Sequence, residues 1–168
     1  MDLEPAVGVL ERGVEVLAIA PPGSPVAALA GARVLTGTAF ADEELRAAVA
    51  GRQRFAVVVD DFDQVTVTVA DRPTLLDEAA SSLGAHVLVL AGDATPILEG
   101  RPHPLAAVVT EVFRSGARIV LNPRDRAAAL IHGLVLENDE HVAGPPGRGY
   151  LSVSGRTVLV QLARGSSA

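Results

Sequence analysis

Phe55-Ala56-Val57-Val58-Val59 is an unbroken apolar run that ends abruptly in Asp60-Asp61. A strand with no polar residue on either face has to be covered on both faces. That is the position of a parallel strand between two layers of helix. The rest of the chain supplies the same kind of element. Val14–Ala20 reads as a strand stopped by Pro21-Pro22-Gly23, and Arg33–Thr36, Ala85–Leu90 and Ala117–Leu121 read as further strands. Helices are predicted over Ala41–Ala50, Thr74–Leu83, Leu105–Arg114 and Pro123–Ile131, the last with Asn122 as its N-cap. A short helix opens at Ser24-Pro25, with Ser24 as N-cap and Pro25 at the first helical position. Another ends over Val7–Arg12 with Gly13 as its C-cap, while Val65–Val69 is β-branched and ambiguous. Gly149–Val153 and Thr157–Leu162 flank Gly155 and read as an antiparallel hairpin. Strands separated by helices imply βαβ units, so the expected fold is α/β with a mainly parallel sheet and a C-terminal hairpin. No linker divides the chain, so one domain is expected over 1–163, with 164–168 as a flexible tail.

Composition narrows the chemistry. Aromatic residues are 3% of the chain against 49% hydrophobic, so the core is built from Val, Leu, Ile and Ala. All 14 basic residues are Arg, and the chain holds no Lys, Cys or Trp. Without Lys there is no P-loop lysine and no Schiff base. Without Cys there is no thiol nucleophile, no disulfide and no Cys-ligated metal. The net charge of −6 argues against direct nucleic-acid binding, which needs a positive surplus. No apolar run reaches a membrane span, and the acidic Asp2, Glu4 and Glu11 stand where a signal peptide would be basic. The expected location is cytoplasmic.

The acid pair after the apolar strand is the strongest chemical signal. It sets carboxylates at the carboxyl edge of the sheet, where open α/β sheets bind ligands. In a Walker B arrangement Asp60 would hold a magnesium ion through water and Asp61 would polarise the attacking water. The plain alternative is a strand ending in a solvated acidic turn. Asp61-Phe62-Asp63-Gln64-Val65 is also similar to the D-x-D-x-V motif of haloacid-dehalogenase-type phosphatases. That likeness implies Asp61 as nucleophile and Asp63 as general acid, although two strands precede the motif and the Lys typical of that family is missing.

Other segments carry less. Ala20–Pro25 lies between a strand and a helix, the context of a phosphate loop, but lacks the glycine spacing and the Lys. Its two prolines remove amide donors, so it reads as a rigid turn. His86, His103, His132 and His141 do not pair at metal-ligand spacing. In Gly144-Pro145-Pro146-Gly147-Arg148-Gly149, Arg148 projects from a sharp turn. It reads equally as a phosphate or subunit contact and as a solvated turn residue.

Taken in order, Leu17–Gly31, Val57–Asp61, Ala85–Gly92, and Pro145–Leu151 with Val160–Ala163 resemble the FtsK/SpoIIIE family of ring motor ATPases. The likeness is to the later, degenerate modules of actinobacterial members, including the EccC-type ATPases of type VII secretion. It covers about residues 5 to 163. The resemblance implies a RecA-like P-loop NTPase fold, ATP with magnesium as the family's ligand, Asp60 as the magnesium-associated acid and Asp61 as the Walker B catalytic acid. It also implies partnership with other modules of a motor that moves DNA or protein, with a peptide of a secreted protein as a further partner. The family's Walker A strand and loop would precede the first helix here, and no Lys occurs in the chain to serve a displaced loop. A degenerate module, structural or regulatory, with weak or no nucleotide binding and no hydrolysis by this chain alone, is the expectation. A non-enzymatic interaction module is the alternative beside the phosphatase. A sheet lacking that central strand would carry unpaired edges and bare apolar faces, so self-association is also expected.

Overall fold

The computed structural model describes residues 14–29, 31–68, 73–81, 86–121, 123, 125–135, 148–153 and 156–161. The helix expected over Val7–Arg12, the cap Asn122, His141 and the tail fall outside them.

Four strands form a parallel sheet in the order β2-β1-β4-β6, with β1 Glu15–Ala20, β2 Arg33–Thr36, β4 Phe55–Val59 and β6 Val87–Leu90. The apolar run is β4. It pairs with β1 (Glu15 opposite Phe55) and with β6 (Ala56 opposite Val87), and all five of its residues are buried. Its two faces differ in the size of what they hold. Phe55, Val57 and Val59 join Leu17 and Ile19 of β1 in the main core. That core is closed by Leu45 of α1 (Asp42–Ala48), Leu75 and Leu76 of α2 (Leu75–Ser81), and Val108 and Val109 of α4 (Ala106–Ser115). The opposite face carries the small residues Ala18, Ala20 and Ala56 with Val16 and Val58. Only Val26 and Leu29, in and just after the 3₁₀ turn Pro25–Ala28, cover it among the buried residues described. A side chain period of two assigns each residue of β4 to one of these faces. Each fully buried Val is worth about 1.5–3 kcal/mol relative to exposure.

Two very short strands, β3 Ala39–Ala41 and β5 Thr66–Thr68, pair in parallel and add Phe40 and Val67 to the main core. The one-turn helix α3 spans Thr95–Leu98. The helix expected over Pro123–Ile131 is shorter: α5 is Arg126–Ile131, and its N-cap is Asp125, whose carboxylate accepts from the Ala128 amide at 2.8 Å.

Strand β7 (Arg118–Leu121) does not join the parallel sheet. It pairs antiparallel with β8 (Arg148–Val153), which pairs antiparallel with β9 (Arg156–Gln161). The expected hairpin is therefore two strands of a three-stranded sheet. Tyr150 is buried on one of its faces against Ala129, Leu134 and Val120. Arg118 ties this sheet to α4. Its guanidinium lies 4.3 Å from the Phe113 ring centre and donates to the Phe113 carbonyl at 2.6 Å. Among the described residues β6 and β7 each have one hydrogen-bonded neighbour, so each presents a free edge. No helix among the described residues is long and apolar enough to cross a membrane.

Candidate functional site at the carboxyl edge of the sheet

Three parallel strands, β1, β4 and β6, deliver their following loops to one edge. The backbone ladder continues past the strand ends there. The Asp60 amide donates to the Ile19 carbonyl at 2.9 Å, the Ala91 amide to Val59 at 2.9 Å, and the Phe62 amide to Ala91 at 3.0 Å. These bonds fix Asp60 beside the end of β1 and Asp61–Asp63 beside the end of β6.

Asp60 is 8% exposed, and its carboxylate accepts the Ser24 hydroxyl at 2.5 Å. Ser24 is the N-cap of the 3₁₀ turn, and its Oγ also accepts the Val26 amide at 3.0 Å. One hydroxyl thus serves two partners, as a donor to Asp60 and an acceptor for the helix start. The N-cap role was legible in the sequence. The bond to an acid 36 positions away was not, and its only local sign is a hydroxyl directly after a loop at a strand's carboxyl end.

Asp61 sits in the left-handed region at φ 45°, the sole non-glycine residue there among those described. Asp tolerates this conformation better than most side chains. The turn swings the chain away from the sheet and starts the 3₁₀ turn Phe62–Gln64. Partial burial, and then the negative charges of Asp60 and Asp63, push the Asp61 carboxyl above the usual range. Asp63 faces the loop after β6: its Oδ1 accepts the Asp93 amide at 3.1 Å. That approach requires Gly92, at φ 151°, because a Cβ there would fall 2.5 Å from the same oxygen and 3.0 Å from the Phe62 amide nitrogen. The Asp63 carbonyl lies 3.3 Å from His103 Nε2, and His103 Nδ1 accepts from the Leu105 amide at 3.1 Å. His103 is thereby assigned as the Nε2–H tautomer, donating to Asp63 and locking this loop to the start of α4.

Asp60, Asp61 and Asp63 all lie at this edge. Arg148 is not brought to them: it begins β8 opposite Gln161, and no hydrogen bond or ion pair joins it to the three acids. No group of three or more His, Cys, Asp or Glu side chains among the described residues is placed to hold a metal ion. The fit to a nucleotide is poor as well. Three amides at the turn after β1 are engaged internally, Ser24 N with Pro21 O at 3.2 Å, Ala27 N with Ser24 O at 3.1 Å, and Val26 N with the Ser24 hydroxyl, while the Gly23 amide has no such partner. Pro21 and Pro22 have no N–H to offer. A phosphate cradle needs several convergent free amides, and this turn presents one, that of Gly23. A separate cleft of about 410 Å³ is lined by Glu15, Gly31, Arg33 and Arg52. It lies where β1 and β2 begin, at the opposite end of the sheet, and Arg52 there pairs with Glu15 at 2.6 Å.

Among solved structures, the chain matches Thermomonospora curvata EccC (ATPases 2 and 3) in complex with a signal sequence peptide, with a TM-score of 0.58 at 18% identity. The chain has the fold of an EccC ATPase module. The match extends over 97% of this chain and 34% of that one, so the chain spans about a third of the length of the EccC structure. No family model matches the sequence. No curated protein matches it either. The EccC likeness agrees with the mainly parallel sheet flanked by helices and with the antiparallel strands at the C-terminal end.

Proposed function

We infer that this chain is a degenerate FtsK/SpoIIIE-like ATPase module with a structural or regulatory role in a motor that moves protein or DNA, with type VII secretion the nearer setting. By itself it does not turn over ATP. The observation that carries this reading is the turn after β1. Pro21, Pro22 and Pro25 have no N–H, the amides of Ser24, Val26 and Ala27 are bound within the turn, and the one hydroxyl is committed to Asp60 and Val26, which leaves the Gly23 amide as a single donor. An acid pair of Walker B type thus stands beside a turn with one free amide where a phosphate cradle needs several.

The EccC fold supports the secretion setting, and the peptide in that structure supports a secreted-protein peptide as a partner class for this chain, alongside other modules of the motor. The proposed location is cytoplasmic, and the net charge of −6 weighs against direct contact with nucleic acid. The phosphatase reading rests on the D-x-D-x-V likeness alone; in the structure Asp63 Oδ1 accepts the Asp93 amide.

Phosphate release and Mg·ATP titration test this reading on the purified chain beside Asp60→Ala/Asp61→Ala. The expected result is release no faster than in the double variant and no saturable binding below millimolar nucleotide. Turnover that the double variant abolishes overturns it.

A further inference from the structure

The three-stranded sheet has one face that nothing in the described structure covers. The registers define it. Ile119 stands opposite Leu151, which stands opposite Val158. Leu121 stands opposite Gly149, which stands opposite Val160. Val153 extends the same face on β8, since alternate residues share a side. The reverse face is the one on which Tyr150 and Val120 pack against Ala129 and Leu134. On the uncovered face Ile119 is 49% exposed, Leu121 40%, Val153 44% and Val158 57%. Gly149 keeps this face flat, for a Cβ there would fall 2.7 Å from Leu121 Cδ2.

We propose that this face is the contact surface between two copies of the chain, packed sheet against sheet. Charge is the first reason. In a chain of net charge −6, strands β7, β8 and β9 contain no Asp or Glu. Two copies can therefore meet here without opposing carboxylates. The only charge on the face is Arg156, at its margin beside Val153. Shape is the second. Flat apolar β faces pack on their like at about 10 Å with strands roughly aligned, and a two-fold axis lets one patch be its own partner. Area sets the strength. The exposed side chains leave on the order of 350 Å² of apolar surface per copy, so a pair buries roughly twice that, in the class of weak and reversible interfaces. The inference is independent of the nucleotide reading and gives the self-association expected from the sequence a specific place.

The test uses the 168-residue chain without nucleotide. Sedimentation equilibrium is run from about 1 μM to about 500 μM, the range over which weak interfaces fill. The expected mass rises with concentration from the single-chain 17.3 kDa toward twice that value. Ile119→Lys/Val158→Lys is expected to stay at one chain mass throughout, with an unchanged far-ultraviolet spectrum. Ile119→Thr/Val158→Thr, which keeps β-branched residues should the Lys pair fail to fold, is expected to weaken association at least tenfold. Leu159→Lys, on the reverse face of β9, is expected to leave it intact. A single-chain mass at every concentration overturns the proposal, and so does a dimer that survives the threonine pair or is lost equally in Leu159→Lys.

Discussion

The Ser24 hydroxyl donates to the Asp60 carboxylate at 2.5 Å, joining the turn after β1 to the end of β4. A hydrogen bond to an ionised, largely buried acceptor is among the stronger ones a protein makes, about 1.5–3 kcal/mol, and the same oxygen caps a helical turn. Ser24→Ala is expected to cost about 2–3 kcal/mol. Ser24→Ala combined with Asp60→Ala should cost clearly less than the two single changes added, because each alone removes the same bond. Urea unfolding of the four proteins closes the cycle, and strict additivity would refute the coupling.

Asp61 gives a pH dependence of definite sign. Its carboxyl is raised above its ordinary 3.8 by partial burial and by Asp60 and Asp63. The folded state therefore disfavours the ionised form relative to the unfolded chain. Stability is lost as pH rises through the window from the ordinary to the raised value, and the penalty is fully present above it. Asp61→Asn keeps a residue that accepts the left-handed backbone and removes the charge. It should melt higher than wild type at neutral pH, by a small margin because the group is near solvent, and the margin should narrow as pH falls toward about 4. Thermal melts of both proteins across that range decide it. A margin independent of pH would mean the carboxylate is not the cause.

Asp42 is 1% exposed and works on two helices at once. Its Oδ1 accepts the Leu75 amide at 2.7 Å, at the start of α2, while Oδ2 accepts Arg46 Nε at 2.6 Å within α1. Arg46 also forks onto Glu78 of α2, at 2.8 and 3.0 Å, and these acids push its already high pKa further up. Asp42→Ala leaves the buried Leu75 amide without its acceptor while Arg46 keeps Glu78 and the Pro73 carbonyl, so a cost of about 1–3 kcal/mol is expected. Arg46→Met, which keeps the stem and drops the charge, should cost less than Asp42→Ala, since Leu75 retains its acceptor. Chemical denaturation separates the two, and the reverse order would sink this account.

What the sequence could and could not disclose follows from distance along the chain. β4 was readable because five apolar residues in a row admit few other environments, and Asp60 and Asp61 were readable because they terminate it. Ser24 was readable as a cap because capping is decided within a few residues. Its tie to Asp60 was not, since that contact exists only once β1 and β4 lie side by side. β3 and β5 are three residues each, too short for a period of two to show. The pairing of β7 with β8 was hidden for a similar reason. A short strand with three apolar residues, such as Arg118–Leu121, looks alike in a parallel or an antiparallel sheet, and the partner is chosen by the fold as a whole. At α5, Asn122 and Asp125 were both chemically fit to cap, and Asp125 is the residue whose carboxylate reaches an amide.

Pro21 and Pro22 have a consequence beyond the present geometry. A lysine installed in this turn would add a charge with only the Gly23 amide free beside it, and phosphate would be attracted there chiefly as a loose counterion. A single lysine therefore does not confer nucleotide chemistry on this edge. Gaining it requires rewriting main-chain atoms, which places the turn several coordinated substitutions away from any functional phosphate site and makes its present form hard to reverse.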